Sequence, residues 1–397
     1  MSSPSNAATL IVKGGRDKSL RRRHPWVFSG AVQKVTGSPA PGDTVRVVAG
    51  DGSFLAWGAY SPASQIVARV WSFDESDAID SLFIAGRVRA AAGRRAGLAA
   101  RTDACRLVFS ESDGLPGLIA DRYGPIVVVE LTTTGADRWR TEIADALMSL
   151  PGVDGVYERS DVDIRQREDL DKRVGSLAGV EPPARLEIHE DGARYLVDVR
   201  AGHKTGLYLD QRESRVAVAQ LAAGRRVLNT FCYTGAFSVV ASRAGAPEVV
   251  SIDSSGPALA MADQNLRLND CPAGELVEAD VFADLRRLRA RGERFGMIIL
   301  DPPKLVMNAG TIDKATRAYK DINLIACQLL EPGGLLVTFS CSGLLEESLF
   351  QKVIAGAALD ARREVRITRR LHQASDHPVL LSVPETAYLK GLVCEVA

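Results

Sequence analysis

From residue 226 onward, apolar runs of strand length alternate with longer mixed stretches of helical character. Arg226–Asn229, Val249–Asp253, Leu276–Asp280, Met297–Asp301 and Leu335–Ser340 read as strands. Each leads into a predicted helix, and these end near Ala244, Asn269, Arg291, Leu330 and Leu359. Near-continuous apolar strands separated by helices predict an α/β domain with a doubly wound, mostly parallel sheet. Val365–Leu371 and Leu389–Val396 close the chain as further extended runs. Ligands on such sheets sit outside the carboxyl ends of the strands, so chemistry is sought there.

The N-terminal half has a different rhythm. Val45–Val48 and Gln65–Trp71 are short β-branched runs punctuated by Gly42-Asp43, Gly50-Asp51-Gly52 and Ser61-Pro62. They predict a small β-rich unit up to residue 75. A helix is expected over 76–100, then strands Cys105–Ser110, Gly117–Asp121 and Ile126–Leu131, and a helix Asp137–Leu150. A strand near 155–159 and a polar stretch to 184 complete a central α+β unit. A hairpin, Leu186–His189 and Tyr195–Val199 turning at Asp191-Gly192, opens the third domain, 185–397.

Composition adds mainly exclusions. The 397 residues are 46% hydrophobic and 25% charged, as in ordinary globular proteins. No apolar run has the length that spans a bilayer, and MSSPSNAATL lacks a signal-peptide core, so a cytoplasmic protein is expected. The six cysteines and five histidines fall at no zinc-like spacing, which predicts no metal site and no disulfide framework. Net charge is zero, unlike that of a protein that coats nucleic acid. Locally the balance differs: Lys13, Arg16, Lys18, Arg21, Arg22 and Arg23 face only Asp17, and Trp26 and Phe28 follow. Basic residues beside aromatics suit RNA backbone contact plus base stacking, and a plain solvated loop fits the same stretch equally well.

The strand ends then narrow the chemistry. The first turn, VLNTFCYTGAFSV, holds a single glycine, Gly235, where a dinucleotide fold would carry three. It suits a cofactor without phosphates, such as S-adenosylmethionine. Asp253 ends the second strand and can accept both ribose hydroxyls; the alternative is a helix cap, since Ser254 and Ser255 follow. Asp280 is expected against the adenine amino group, with Val281 and Phe282 along the ring. The fourth strand ends in MIILDPPK, where two prolines stiffen an exposed turn and set Asp301 and Lys304 over the crevice. The fifth ends in FSCSG, with Cys341 at the same edge. C5 of a pyrimidine is a poor nucleophile until a thiolate adds at C6, and Cys341 is the candidate thiol. Cys232, Cys271, Cys327 and Cys394 are expected as buried filler.

Taken together, these motifs resemble a known family almost end to end. AGHKTGLYLDQRESR at Ala201–Arg215, NTFCYTGAF, DPPK and FSCSG resemble the bacterial 23S rRNA cytosine-C5 methyltransferases of the large-subunit methyltransferase I type. KSLRRRHPWVFSGAV followed by PGDTVRVV resembles that family's PUA domain, and the similarity spans residues 8–397. The resemblance implies a PUA-like β-barrel, a small α+β domain and a Rossmann-like class I methyltransferase domain. It implies S-adenosylmethionine as donor and 23S rRNA, free or in an assembling subunit, as partner. A homodimer is compatible with the sequence. Lys204, Tyr208, Gln211, Asn229, Tyr233, Thr234, Gly235, Asp253, Ser254, Asp280, Val281 and Asp301 would line the cofactor site, with Lys204 to Gln211 as its lid. Cys341 would be the nucleophile, Asp301 would hold the base edge, and Lys18, Arg21, Arg22, Arg23, Trp26 and Lys304 would contact RNA. One departure stands out: many RNA cytosine-C5 methyltransferases carry a second cysteine after the fourth-strand proline, where this chain has Pro303-Lys304. The rival readings are a guanine or adenine methyltransferase using DPPK to hold an amino group, and a non-catalytic ribosome-assembly factor. A nicotinamide enzyme is disfavoured by the missing phosphate-binding glycines.

Overall fold

The structure is a computed structural model and describes residues 8–272 and 274–397. The N-terminal segment on which the leaderless reading rests, up to Ala7, lies outside the described residues. The chain forms two compact units. The first comprises the chain up to Ile188 together with Val197–Leu209 and Asp376–Thr386. The second comprises His189–Leu196, Asp210–Ser375 and Ala387–Ala397. Among the described residues no helix is long and apolar enough to cross a membrane.

The first unit carries two sheets. A six-stranded sheet has the spatial order Trp26–Phe28, Ile66–Ser72, Phe54–Tyr60, Thr44–Val48, Thr9–Val12, Val32–Thr36. Its pairs are antiparallel except Thr9–Val12 with Thr44–Val48. Of these strands only the second and fourth are plain in the sequence. The others are short or, like FLAWGAY, apolar on both faces without alternation. The second sheet, five-stranded, runs Arg173–Gly179, Gly155–Ser160, Ile126–Leu131, Leu118–Tyr123, Ala104–Phe109. Its first strand lies in the polar stretch that runs to 184. Its largely exposed residues give no apolar signal. The helix expected over 76–100 is shorter, Ser81–Arg94, because the Asp80 carboxylate accepts from Phe83 N and caps it there. Two later segments stitch into this unit: Thr205 Oγ1 donates to Asp121 at 2.6 Å, and Arg95 donates to Asp376 O at 2.9 Å.

The second unit is a seven-stranded sheet. Its strands are β1 (Arg226–Thr230), β2 (Glu248–Asp253), β3 (Glu275–Glu278), β4 (Phe295–Leu300), β5 (Leu330–Ser340), β6 (Val365–His372) and β7 (Lys390–Val396). The order is β3-β2-β1-β4-β5-β7-β6. β7 is antiparallel to both neighbours and the first five strands are parallel. The helices are α1 (Arg212–Ala222), α2 (Ala236–Arg243), α3 (Gly256–Leu268), α4 (Val281–Ala290), α5 (Ile312–Leu329) and α6 (Glu347–Asp360). Every residue of β4 is buried, as expected for a central strand covered on both faces. The sheet is flanked by two cores, one with Leu228, Ile298, Leu336 and Phe350, the other with Val227, Ile299, Val337 and Phe339. Alternate residues of one strand thus serve opposite layers. The sheet order reverses between β1 and β4, the kind of switch point at which a crevice opens. Two expectations shift: β3 stops at Glu278, and the helix after β4 starts only at Ile312, leaving Asp301–Met307 as a loop.

Candidate active site

The turn after β1 is contorted and tightly packed. Phe231 and Tyr233 have φ of 55° and 49°, and Gly235 has φ of 78°. A Cβ at Gly235 would lie 2.8 Å from Cβ of Ala262 on α3, so both the backbone angle and the space require glycine. Asn265 Nδ2 donates to Thr234 O at 2.9 Å and fixes the turn from behind. Asp253 clips it from the side, accepting from Tyr233 N at 2.8 Å and from Ser255 N at 2.9 Å. The cap of α3 is Ser255, which accepts from Ala258 N, so the Asp253 carboxylate is left half-exposed at the strand tip. Asn229 is fully buried. Its Nδ2 donates to Ser238 Oγ at 2.8 Å, and Ser238 in turn meets Ser251.

Asp280 is the cap of α4, accepting from Ala283 N at 2.8 Å, and its side chain stays at the surface. Val281 does not present a face to a ligand. Its side chain is 3% exposed within the core, and Phe282, edge-on to Phe231, is the aromatic at this position. The step from strand to helix turns the first helical residue inward, which the sequence pattern does not reveal.

β4 and β5 bring two further groups to one edge. Leu300 pairs with Thr338 in parallel register, so Asp301 and Cys341 leave adjacent strands in the same direction. Ser342 Oγ accepts from Val306 N at 3.3 Å, tying the Asp301 loop to the Cys341 loop. Behind them, Tyr319 on α5 donates to Ser340 Oγ at 2.9 Å. Burial raises the pKa of this phenol, and the charges of both Cys341 and Asp301 act in the same direction. Cys105, Cys232, Cys327 and Cys394 are buried, whereas Cys341 is half-buried and so is Cys271, against its expected place as buried filler. Burial pushes the Cys327 thiol up to about 11 and Cys394 to about 12, as befits inert filler. Lys304 is exposed on the same loop as Asp301.

Asp301 is the most perturbed carboxyl of the region. Burial, and then the charge of Asp210, push its pKa up to about 7, against the pull of the Gln211 hydrogen bond and Arg215. Gln211 Nε2 donates to Asp301 Oδ2 at 3.0 Å. Asp210 accepts from Tyr388 Oη at 2.6 Å. Arg215 forms a buried two-pronged pair with Glu190 at 2.6 and 2.9 Å, which pins the start of α1. Asp210 Oδ1, Gln211 Oε1 and Asn229 Oδ1 are buried acceptors with no hydrogen-bond partner among the described residues. Asp210, Tyr319 and Tyr388 were not singled out in the sequence. Asp210 sits inside LYLDQRES and was legible there as the acid before Gln211. Tyr319 and Tyr388 come from elements that only the fold brings to the edge.

The remaining candidates belong to the first unit. Lys204 is exposed with φ of 55°, and Tyr208 Oη lies 3.4 Å from His203 Nδ1. The expected lid therefore divides, with Lys204 and Tyr208 in one unit and Gln211 in the other. Lys18, Arg21, Arg22 and Arg23 are exposed at the rim of the six-stranded sheet. Arg21 pairs with Asp17 at 2.6 Å, and Arg23 lies over the Phe73 ring at 5.0 Å. Trp26 is half-buried and donates to Glu111 at 2.8 Å, so its ring is committed, while Phe28 beside it is 49% exposed.

The profile of an S-adenosylmethionine-dependent methyltransferase family matches residues 148–382, and that of a PUA-like domain matches residues 10–73. "Ribosomal RNA large subunit methyltransferase I" of Klebsiella pneumoniae strain 342 is 50% identical over 391 residues, covering 98% of each chain. The protein of that name from Escherichia coli strain HS is 49% identical over 391 residues, 98% of this chain and 99% of its own. This chain belongs to the ribosomal RNA large subunit methyltransferase I family. Membership carries dependence on S-adenosylmethionine and enzymatic methyl transfer. The fold agrees with solved structures: a proposed SAM-dependent methyltransferase from Streptococcus mutans superposes with TM-score 0.84 at 25% identity, over 98% of this chain and 100% of its own. Another proposed methyltransferase, solved with SAH, superposes at 0.85 with 24% identity over 98% and 100%. For this member of the large subunit methyltransferase I family, the PUA-like fold is the six-stranded sheet and the Rossmann-like fold is the seven-stranded one.

Proposed function

We propose that this protein methylates C5 of a cytosine in 23S ribosomal RNA through a covalent adduct between Cys341 and C6. The observation that carries the reading is the shared strand edge. A half-buried thiol and a carboxyl of raised pKa leave neighbouring parallel strands, with their loops joined by the Val306–Ser342 hydrogen bond. A methyltransferase acting on an exocyclic amine has no need of such a thiol. The relatives' names supply large-subunit rRNA as the substrate class, and the PUA-like domain supplies an RNA-binding module.

The residues present fit S-adenosylmethionine. The Gly235 turn lacks a phosphate cradle, Asp253 offers a carboxylate at the second strand tip, and Phe282 offers an aromatic edge. Gln211, Asp210 and Asn229 hold buried acceptors awaiting donors, which suits an amino-acid ammonium and an adenosyl group. When bound, the cofactor supplies an electrophilic methyl on a sulfonium centre. Tyr233, Thr234, Ser254 and Asp280 line the same strand tips.

The chain's own chemistry then runs in order. Lys18, Arg21, Arg22, Arg23 and Lys304 grip the RNA, and the target base is unstacked at a cost of about 2–4 kcal/mol, less in a loop. Cys341 gives up its proton and forms a bond to C6, which makes C5 a nucleophile. Asp301, protonated below about pH 7, donates a hydrogen bond to N3 and draws off the charge that develops there. After C5 gains the methyl group, its hydrogen leaves as a proton. The C5–C6 double bond re-forms and the Cys341 thiolate departs. With no second cysteine after Pro303, a carboxylate or water takes that proton.

An rRNA fragment containing 5-fluorocytosine tests this directly. Fluorine at C5 cannot leave as a cation, so the adduct persists. A denaturation-resistant protein–RNA complex is expected with the parent and none with Cys341→Ala, which still binds S-adenosylmethionine by calorimetry. Normal methylation by Cys341→Ala, with the product carried on an exocyclic amine, would sink the cytosine reading.

A further inference from the structure

The last strand delivers a buried cation to the nucleophile. β7 pairs antiparallel with β5 and β6 in a register that sets Lys390 opposite Ser340 on one side and His372 on the other. Cys341 is the next residue after Ser340. Lys390 is 8% exposed, and lysine is seldom buried to that extent without a partner. Its ammonium donates to Ser342 O at 2.7 Å and to Tyr388 O at 2.9 Å. These two carbonyls belong to the loop that carries Cys341 and to the strand entrance beside it. They solvate the ammonium without neutralising it, so its field falls on its surroundings at low dielectric.

We propose that Lys390 is a positioning residue for the nucleophile: its ammonium, anchored on Ser342 O, favours the thiolate form of Cys341 and holds the loop that aims it. The inference rests on the reading of Cys341 as the attacking thiol.

The charges around Lys390 support the assignment. Burial lowers its pKa, while Cys341 and then Glu347 act to raise it. Glu347, at the start of α6, is paired with Arg370 of β6, so its charge is shared. From α5 comes the neutral phenol of Tyr319, and from β6 the neighbour is His372. Asp301 bears on the same phenol. A thiol beside a desolvated lysine ionises below the ordinary value of about 8.5. In the proposed reaction the thiolate is what adds to C6, so the ammonium raises the reactive fraction at neutral pH. The adduct itself bears no charge on sulfur. The same ammonium therefore also favours departure of the thiolate when the double bond re-forms.

The test is alkylation of the full-length protein with iodoacetamide between about pH 6 and 10, read as the rate at the Cys341 peptide by mass spectrometry. In the parent the midpoint is expected below about 8.5. Lys390→Gln retains an N–H for Ser342 O but no charge. It should raise the midpoint by about one unit and slow methyl transfer at pH 7 about tenfold, with the deficit relative to the parent narrowing on the alkaline side. KM for S-adenosylmethionine should stay put. Lys390→Arg should restore the midpoint. An unchanged midpoint in folded Lys390→Gln would make the lysine a structural clamp only. Should that variant not fold, a parent midpoint at or above the ordinary thiol value overturns the proposal by itself. Failure of the nucleophile reading shows elsewhere, as methylation by Cys341→Ala.

Discussion

Asp301 combines two demands on one carboxyl. Its position after a fully buried strand and beside Asp210 disfavours ionisation, so its pKa rises to about 7. Because the folded value lies above the unfolded one, the folded state binds the extra proton between about pH 4 and 7. Stability from this group is fully present at the acid end of that window and is lost as pH rises through 7. Asn at this position accepts from Gln211 as the carboxylate does but never ionises. Asp301→Asn should therefore melt at a higher temperature than the parent at pH 8, with the gap closing toward pH 5. Scanning calorimetry across that range checks the sign, and a gap that widens toward acid would refute it. Methyl transfer should move the other way. With a protonated Asp301 and an ionised Cys341 both required, the rate should pass through a maximum near neutrality, and Asp301→Asn should flatten its alkaline limb.

At the scale of elements, the parallel part of the sheet was legible and its edges were not. Apolar runs such as MIIL and LLVTF reveal buried strands because both faces are covered, and their tips could be read off as Asp253, Asp301 and Cys341. Val281 was misread because a strand-end pattern does not show which way the first helical residue turns. Lys390 and Tyr388 were invisible because nothing local links residues 388–390 to 340–342; only the insertion of β7 between β5 and β6 does so. The edge strand Arg173–Gly179 was missed for the opposite reason, its side chains being mostly solvent-facing. The Gly235 turn is where sequence and geometry agree most closely, and it yields a prediction. Gly235→Ala meets both a φ of 78° and an approach of 2.8 Å to Ala262. The strain costs about 1–3 kcal/mol if the turn holds its shape. A lower melting temperature and a loss of S-adenosylmethionine affinity are expected together. Unchanged affinity, measured by calorimetry, would mean that the turn is not part of the cofactor site.

Across the whole molecule, charge balance conceals local fields. Lysine and arginine number 49, as do aspartate and glutamate, so the mean field steers nothing. RNA attraction must then come from where cations stand unopposed at short range, since a Debye length of about 8 Å erases more distant charge at physiological salt. Lys18 and Arg22 meet that condition better than their neighbours: both are exposed, while Arg21 is paired with Asp17 and Arg23 is laid on Phe73. Removing one cation from a phosphate should lower the slope of log affinity against log salt by about one. The double replacement Lys18→Gln with Arg22→Gln is therefore expected to weaken binding to an rRNA fragment and to reduce that slope by about two, equally for any RNA sequence. Neither residue lies in the Rossmann-like unit, so S-adenosylmethionine affinity should not change. Filter binding at several salt concentrations decides the matter. An unaltered slope would make the basic stretch an ordinary solvated surface and shift RNA capture to Lys304 and the exposed apolar side chains Met307 and Leu344 of the catalytic loops.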